Sequence, residues 1–191
     1  MKNLFKKNEG WLTLKEALDQ DISKYEFYKF VKENELERAG HGIYVPADVW
    51  PDSMYLTHLR STQAIFSHES ALFLHDMTDR EPPYFSVTVR TGYNPHRLKK
   101  DGIKVYTIKE ELHVLGLSKA KTPFGHFVPV YDKERTLCDI LRSRKGIETQ
   151  VFQDALKSYA KQKDKNLRSL MQYANALSVS EIIKPYLEVL L

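Results

Sequence analysis

Two helix-start signals stand ten residues apart near the beginning of the chain, and they constrain its fold more than any other feature. "TLKE" (Thr13 to Glu16) and "SKYE" (Ser23 to Glu26) each place a hydroxyl at a helix N-cap and a glutamate three positions later. That arrangement satisfies N–H groups left free at a helix start. The first signal opens a helix over roughly 14–20, with Leu14, Ala17 and Leu18 expected to face inward. The second opens a longer helix over roughly 24–34. Only Asp21 and Ile22 lie between them, so the spacing predicts a helix-turn-helix.

At roughly 100° per residue, Phe27, Phe30 and Val31 fall on one side of the second helix. Tyr25, Tyr28, Lys29 and Lys32 gather on the other, with Ser23 and Lys24 at its start. Tyrosine hydroxyls and lysine ammoniums suit phosphate oxygens and base edges, and a helix N-terminus offers backbone N–H donors. The alternative is a solvated face that carries two tyrosines.

"LERAGHGIYV" (36–45) follows at once. Leu36 to Ala39 and Ile43 to Pro46 flank a three-residue turn whose glycines, 40 and 42, are expected to supply positive φ. A dinucleotide loop would need a buried strand before the glycines and a helix after them. Here a helix comes first and "IYVPADVWP" follows, so the stretch reads as a β-hairpin. Helix-turn-helix and then hairpin is the order of a winged helix, with Arg38 and His41 on the wing, placed for backbone phosphate or the minor groove. For His41 a turn residue chosen for backbone tolerance is the alternative.

"PADVWPDS" (46–53) reads as a linker, which gives a winged helix-turn-helix over 1–48 and a second domain over 53–191. Helices are expected at 54–63 and at 66–77, the latter capped by Ser67. Strands are expected at 84–90, 103–108 and 126–131, the last at a sheet edge because Pro129 cannot donate to a ladder. Helices then follow at 133–144, 149–162, 166–177 and 180–190, with Pro185 kinking or delaying the last. The fold class is therefore α+β: an N-terminal winged helix-turn-helix, then a mixed α/β domain that ends in a helical bundle.

Charge bears on function through its distribution. Residues 1–50 carry 8 Lys/Arg against 9 Asp/Glu, and residues 133–191 carry 11 against 7. A basic surface at the N-terminus must come from local sorting, and a second can lie near the C-terminus. Lys157, Lys161, Lys163, Lys165 and Arg168 gather around a helix–helix junction, opposite a stripe of Val151, Phe152, Ala155, Leu156 and Tyr159. They form either a second nucleic-acid or acidic-partner patch or a solvated face.

Catalytic patterns are weak. "HES" (68–70) begins like a zinc-protease motif, but Leu72 stands where the second histidine belongs. His68 and His75 lie about 10 Å apart along a helix, too far for one metal, and read as structural. Cys138, the single cysteine, reads as a small buried hydrophobe and leaves no intrachain disulfide. No P-loop or G-x-S-x-G is present. No enzyme activity, cofactor or metal is expected. With no signal peptide and no apolar run of about 18 residues, no membrane contact is expected and a cytoplasmic location fits.

The "L-E-R-x-G-x-G-I-Y" hairpin after two capped helices, then "IFSHESALFLHDMTDREPPYFSVTV", then "PVYDKERTLCDIL" together resemble the AbiEi family over nearly the whole chain from about Trp11. Its members are antitoxins of bacterial abortive-infection, type IV toxin–antitoxin systems. The resemblance implies that the winged helix represses its own operon by binding inverted repeats in double-stranded promoter DNA. It also implies that the C-terminal domain aids cooperative DNA binding and counteracts a nucleotidyltransferase-like toxin without a stable complex. The DNA-reading role then falls on the second helix and the wing. "ERTLCDIL" (134–141) is assigned to packing or positioning rather than chemistry, with Arg135 expected to pair with an acid such as Asp139 one turn away. The near-neutral first fifty residues depart from what a DNA-binding module leads one to expect. Two other readings stay open: a nucleic-acid-acting enzyme targeted by the winged helix, and a protein that sequesters its partner directly.

Overall fold

The computed structural model describes residues 1–190, which form two compact units, Met1–Arg60 and Ser61 onward. The fold is mixed α+β.

In the first unit, helix α1 (Lys2–Lys7) precedes a two-residue strand β1 (Leu12–Thr13), helix α2 (Leu14–Asp19) and helix α3 (Lys24–Glu33). Neither α1 nor β1 carries a strong sequence signal: α1 is one and a half turns long, and β1 is too short to show alternation. Strands β2 (Leu36–Gly40) and β3 (Ile43–Pro46) form the hairpin, and β1 pairs with β3 to make an antiparallel sheet of order β1-β3-β2. Leu4, Leu12, Ala17, Phe27, Phe30 and Val31 form the core beneath the helices. Leu18, expected inside, is 42% exposed. It lies about 100° around the short helix from Ala17, past the edge of the buried stripe.

Helix α4 (Ser53–Arg60) moves the boundary. It was expected to open the second domain after a linker, but Tyr55, Leu56 and Leu59 pack on Trp11, Ile43 and Val45 of the first unit. The Tyr55 and Trp11 rings meet edge to face at 5.2 Å. The buried Asp52 starts this helix by accepting the Tyr55 N–H at 3.0 Å. The first unit thus extends to Arg60 instead of stopping at 48.

The second unit holds a five-stranded mixed sheet of order β6-β5-β4-β8-β7. Its strands are β4 (Ile65–Phe66), β5 (Ser86–Arg90), β6 (Lys104–Ile108), β7 (Leu117–Lys121) and β8 (Phe127–Tyr131). Helices α5 (His68–Leu74), α6 (His96–Lys100) and α7 (Glu110–His113) sit in the connections, and α8 (Lys133–Arg142), α9 (Thr149–Lys161), α10 (Leu167–Ala176) and α11 (Ser180–Leu190) end the chain. Helix α11 starts on schedule and runs through Pro185.

Strand β8 is not at an edge, despite Pro129: it lies between β4 and β7. Bonds join Thr122 N–H to His126 C=O and Asp132 N–H to Gly116 C=O. By the alternation of an antiparallel ladder, Lys119 and Pro129 form a non-hydrogen-bonded pair. On the other side β4 meets β8 only at Phe66 and Val130. The missing N–H therefore breaks no bond toward β7. Strand β7, with the pattern Leu-Ser-Lys-Ala-Lys, escaped the sequence reading because lysines stand where apolar residues would mark a strand.

Helix α8 is the axis of this unit. Glu134 through Leu141 are all buried, and Leu137, Cys138, Ile140 and Leu141 share one core with Phe152, Ala155, Leu156 and Tyr159 of α9 and Leu170 and Ala174 of α10.

Candidate nucleic-acid interface

The geometry of the candidate surface begins with how α3 is held. Ser23 Oγ accepts the Glu26 N–H at 3.2 Å, and the Glu26 carboxylate accepts both the Ser23 N–H at 3.1 Å and the Ser23 hydroxyl at 2.8 Å. The capping box is complete. These bonds hold the Glu26 carboxyl below its ordinary pKa, the Ser23 hydroxyl contributing most. They also qualify the role expected of this helix end: the Ser23 hydroxyl and N–H already have a partner, and that partner is an anion at the helix N-terminus. The "TLKE" signal is only half a box. Thr13 Oγ accepts the Glu16 N–H at 3.1 Å, but the Glu16 carboxylate takes the Thr13 hydroxyl and the Asn8 amide. Thr13 belongs to β1 and pairs with Ile43.

Phe27, Phe30 and Val31 anchor α3 in the core, while Lys24, Tyr25, Tyr28, Lys29 and Lys32 are all exposed. Tyr25 is 76% exposed, the large aromatic of this helix that lies most open to water. Tyr28 lies edge-on to Phe27 and Tyr44, which fixes its ring on the helix face. Lys29 approaches Glu33 at 3.9 Å, an exposed pair one turn apart that holds the lysine weakly.

The hairpin differs in detail from its sequence reading. Gly40 ends β2 and pairs with Ile43, with a bulge at Ala39, so the loop is His41 and Gly42 alone. Only Gly42 has positive φ, +70°. Gly40 is small for another reason: a Cβ there would meet Leu56 Cδ1 of α4 at 3.2 Å. His41 is exposed at the tip, and Arg38 Nε donates to Gly40 C=O at 3.1 Å, which turns the exposed guanidinium along the hairpin.

In the second unit Lys157, Lys161, Lys163 and Arg168 are exposed and Lys165 is half-buried, its ammonium donating to Gln162 C=O. Asp164 lies among them, paired with Lys133 at 2.9 Å. The apolar stripe opposite is buried at Phe152, Ala155, Leu156 and Tyr159 and partly so at Val151.

The residues weighed for catalysis have structural partners. Cys138 is buried, its thiol pushed up to about 12 by desolvation first. His75 Nε2 bonds to Tyr131 C=O at 2.7 Å. Ser67 does not cap α5 through its side chain as expected; its hydroxyl meets His68 Nδ1 at 2.9 Å and Thr88 Oγ at 2.8 Å. Arg135 is fully buried: Nε reaches Asp139 at 3.0 Å, and Nη1 donates to Leu112 and Leu115 C=O at 2.9 and 2.7 Å. The "ERTLCDIL" helix thus carries a clamp on the loop before β7. No group of three or more His, Cys, Asp or Glu among the described residues is placed to hold a metal ion. No helix there is long and apolar enough to cross a membrane.

Residues 1–47 match the family model described as "Transcriptional regulator, AbiEi antitoxin". The match bears out the resemblance over the segment that contains α2, α3 and the hairpin. No curated protein matches the chain.

Proposed function

From an N-terminal segment that matches the AbiEi antitoxin regulators, we propose that this chain is a DNA-binding autorepressor and the antitoxin of a type IV abortive-infection system. Its first unit acts as a winged helix, with α3 as the recognition helix and the β2–β3 hairpin as the wing. The observation that carries this reading is the sorting of α3: three buried apolar anchors on one side, and Tyr25, Tyr28, Lys29 and Lys32 exposed on the other. Lys24, Lys29 and Lys32 contact phosphate, the tyrosines reach base edges or sugar, and Arg38 and His41 follow the backbone or the minor groove. Ser23 contributes by holding the helix start. The lysines and arginine around the α9–α10 junction serve as a second patch on the same DNA. The cognate toxin, nucleotidyltransferase-like, is counteracted without a stable complex, and the operator consists of inverted promoter repeats.

Fluorescence-anisotropy titration against the upstream promoter DNA and a scrambled duplex, at two salt concentrations, tests the reading. Tight, promoter-selective and salt-sensitive binding is expected. Lys29→Ala and Lys32→Ala should each weaken it and reduce the log–log salt slope by about one. Unchanged binding in both variants removes this face from the interface. Equal binding of the two duplexes rules out autorepression through a specific operator.

A further inference from the structure

A second feature, in the unit from Ser61 onward, lies outside the proposed DNA face, at the margin of the core that α8 shares with the terminal helices. Two adjacent clefts meet at the C-terminal end of α8. One, of about 220 Å³, is lined by His68, Thr88, Tyr106, Asp139, Arg142 and Ser143 among others. The other, of about 280 Å³, has an apolar floor of Leu141, Leu177, Val179 and Ile182. Arg142 and Ser143 line both.

The polar cleft is built around a strained histidine. His68 is buried and has φ +52°, a left-handed conformation that few non-glycine residues adopt. Its ring stacks on Tyr106 at 3.5 Å, with Nδ1 at 2.9 Å from Ser67 Oγ and Nε2 at 3.0 Å from Ser143 Oγ. The direction of the chain follows from its far end. Thr88 donates its hydroxyl to Ser67 Oγ, and giving the Ser67 proton to Nδ1 is the arrangement that leaves each buried hydroxyl bonded. The hydrogen then sits on Nε2. Nε2–H donates to Ser143 Oγ, so the Ser143 hydroxyl is left as a donor toward the clefts. A histidine in this tautomer cannot take the proton of Ser143, so the pair is made for binding an acceptor and not for activating a nucleophile.

The surroundings are cationic. Arg142, Arg144 and Lys145 are exposed within four residues, and all three line the apolar cleft. Lys104 stands nearby, 3.4 Å from Glu69 and from Gly146 C=O. The Asp139 carboxylate in the lining is already held by Arg135. Burial and then the charges of Lys104, Arg135 and Arg142 push the His68 pKa well down, which keeps its ring neutral.

We propose that this junction is a binding site for a small organic phosphomonoester. Arg142 and the Ser143 hydroxyl take the phosphate, the RSRK turn supplies the field for a doubly charged anion, and the apolar cleft takes the organic group next to the phosphate. The site is independent of the proposed DNA contacts.

Calorimetric titration of the full chain with phenyl phosphate, inorganic phosphate and phenol tests this. Phenyl phosphate should bind saturably at one site, more tightly than either fragment. Arg142→Gln, at an exposed position, should weaken it about tenfold, Ser143→Ala should weaken it less, and Lys157→Gln should leave it unchanged. Four results would overturn the proposal: no saturable binding, phenyl phosphate no tighter than inorganic phosphate, equal loss in Lys157→Gln, or displacement of phenyl phosphate by a short DNA duplex. The last would mark a general nucleic-acid surface.

Discussion

At the scale of single residues, the second unit concentrates strain and buried polarity near α8. Gly116 has φ +74°, and a Cβ there would stand 2.6 Å from Arg135 Cβ. Gly116→Ala should therefore cost about 3 kcal/mol or more, from backbone strain and displacement of a buried arginine together. A chemical-denaturation midpoint would show it. His68 gives a pH prediction. Its folded pKa lies well below 6.5, with burial the leading cause. As pH falls below the unfolded value of about 6.5, the unfolded chain takes up a proton that the folded chain refuses. Stability is then lost on acidification, with a slope of at most about 1.4 kcal/mol per pH unit for one group. His68→Asn tolerates the left-handed backbone. It should lower stability at pH 7 but flatten the fall between pH 6.5 and 5. His75 and His113 are also lowered by burial, so part of the slope should remain. An unchanged slope would mean that His68 titrates normally.

At the scale of elements, α3 is the best-specified segment. Its start is fixed by a complete capping box, and Ser23→Ala should cost about 1 kcal/mol. That change also frees Glu26. A thermal melt of this variant beside Lys29→Ala and Lys32→Ala separates a structural loss from a binding loss, since the two lysines are exposed and their removal should leave the melt nearly unchanged. The hairpin shows the limit of reading elements one at a time. Both glycines look like turn glycines in sequence, but only Gly42 turns the chain, while Gly40 makes room for α4.

At the scale of the whole molecule, the two units divide at Arg60. The family match ends at 47, before α4. Since Trp11, Ile43 and Val45 pack against Tyr55, Leu56 and Leu59, a fragment of residues 1–60 should unfold cooperatively. One of residues 1–48 should not, because it leaves that cluster open to water. Circular-dichroism melts of the two fragments decide this, and equal cooperativity would show α4 to be dispensable.

What the sequence determined by itself was local. Side chains that bond within three or four residues, or that repeat at a helical period, declare themselves without any partner: the caps of α2 and α3, the buried Phe27, Phe30 and Val31, the Arg135–Asp139 pair, and the four helices that end the chain. The exposed Tyr/Lys face was legible for the same reason. Tertiary structure decided what depends on residues distant in the chain. It placed β8 inside the sheet, because Pro129 falls on a non-bonded ladder position that only the register with β7 defines. It assigned α4 to the first unit, because Leu56 meets a glycine sixteen positions earlier. It also brought Ser143 to His68 across 75 residues. No local pattern encodes such meetings; they exist only once the chain has closed around them.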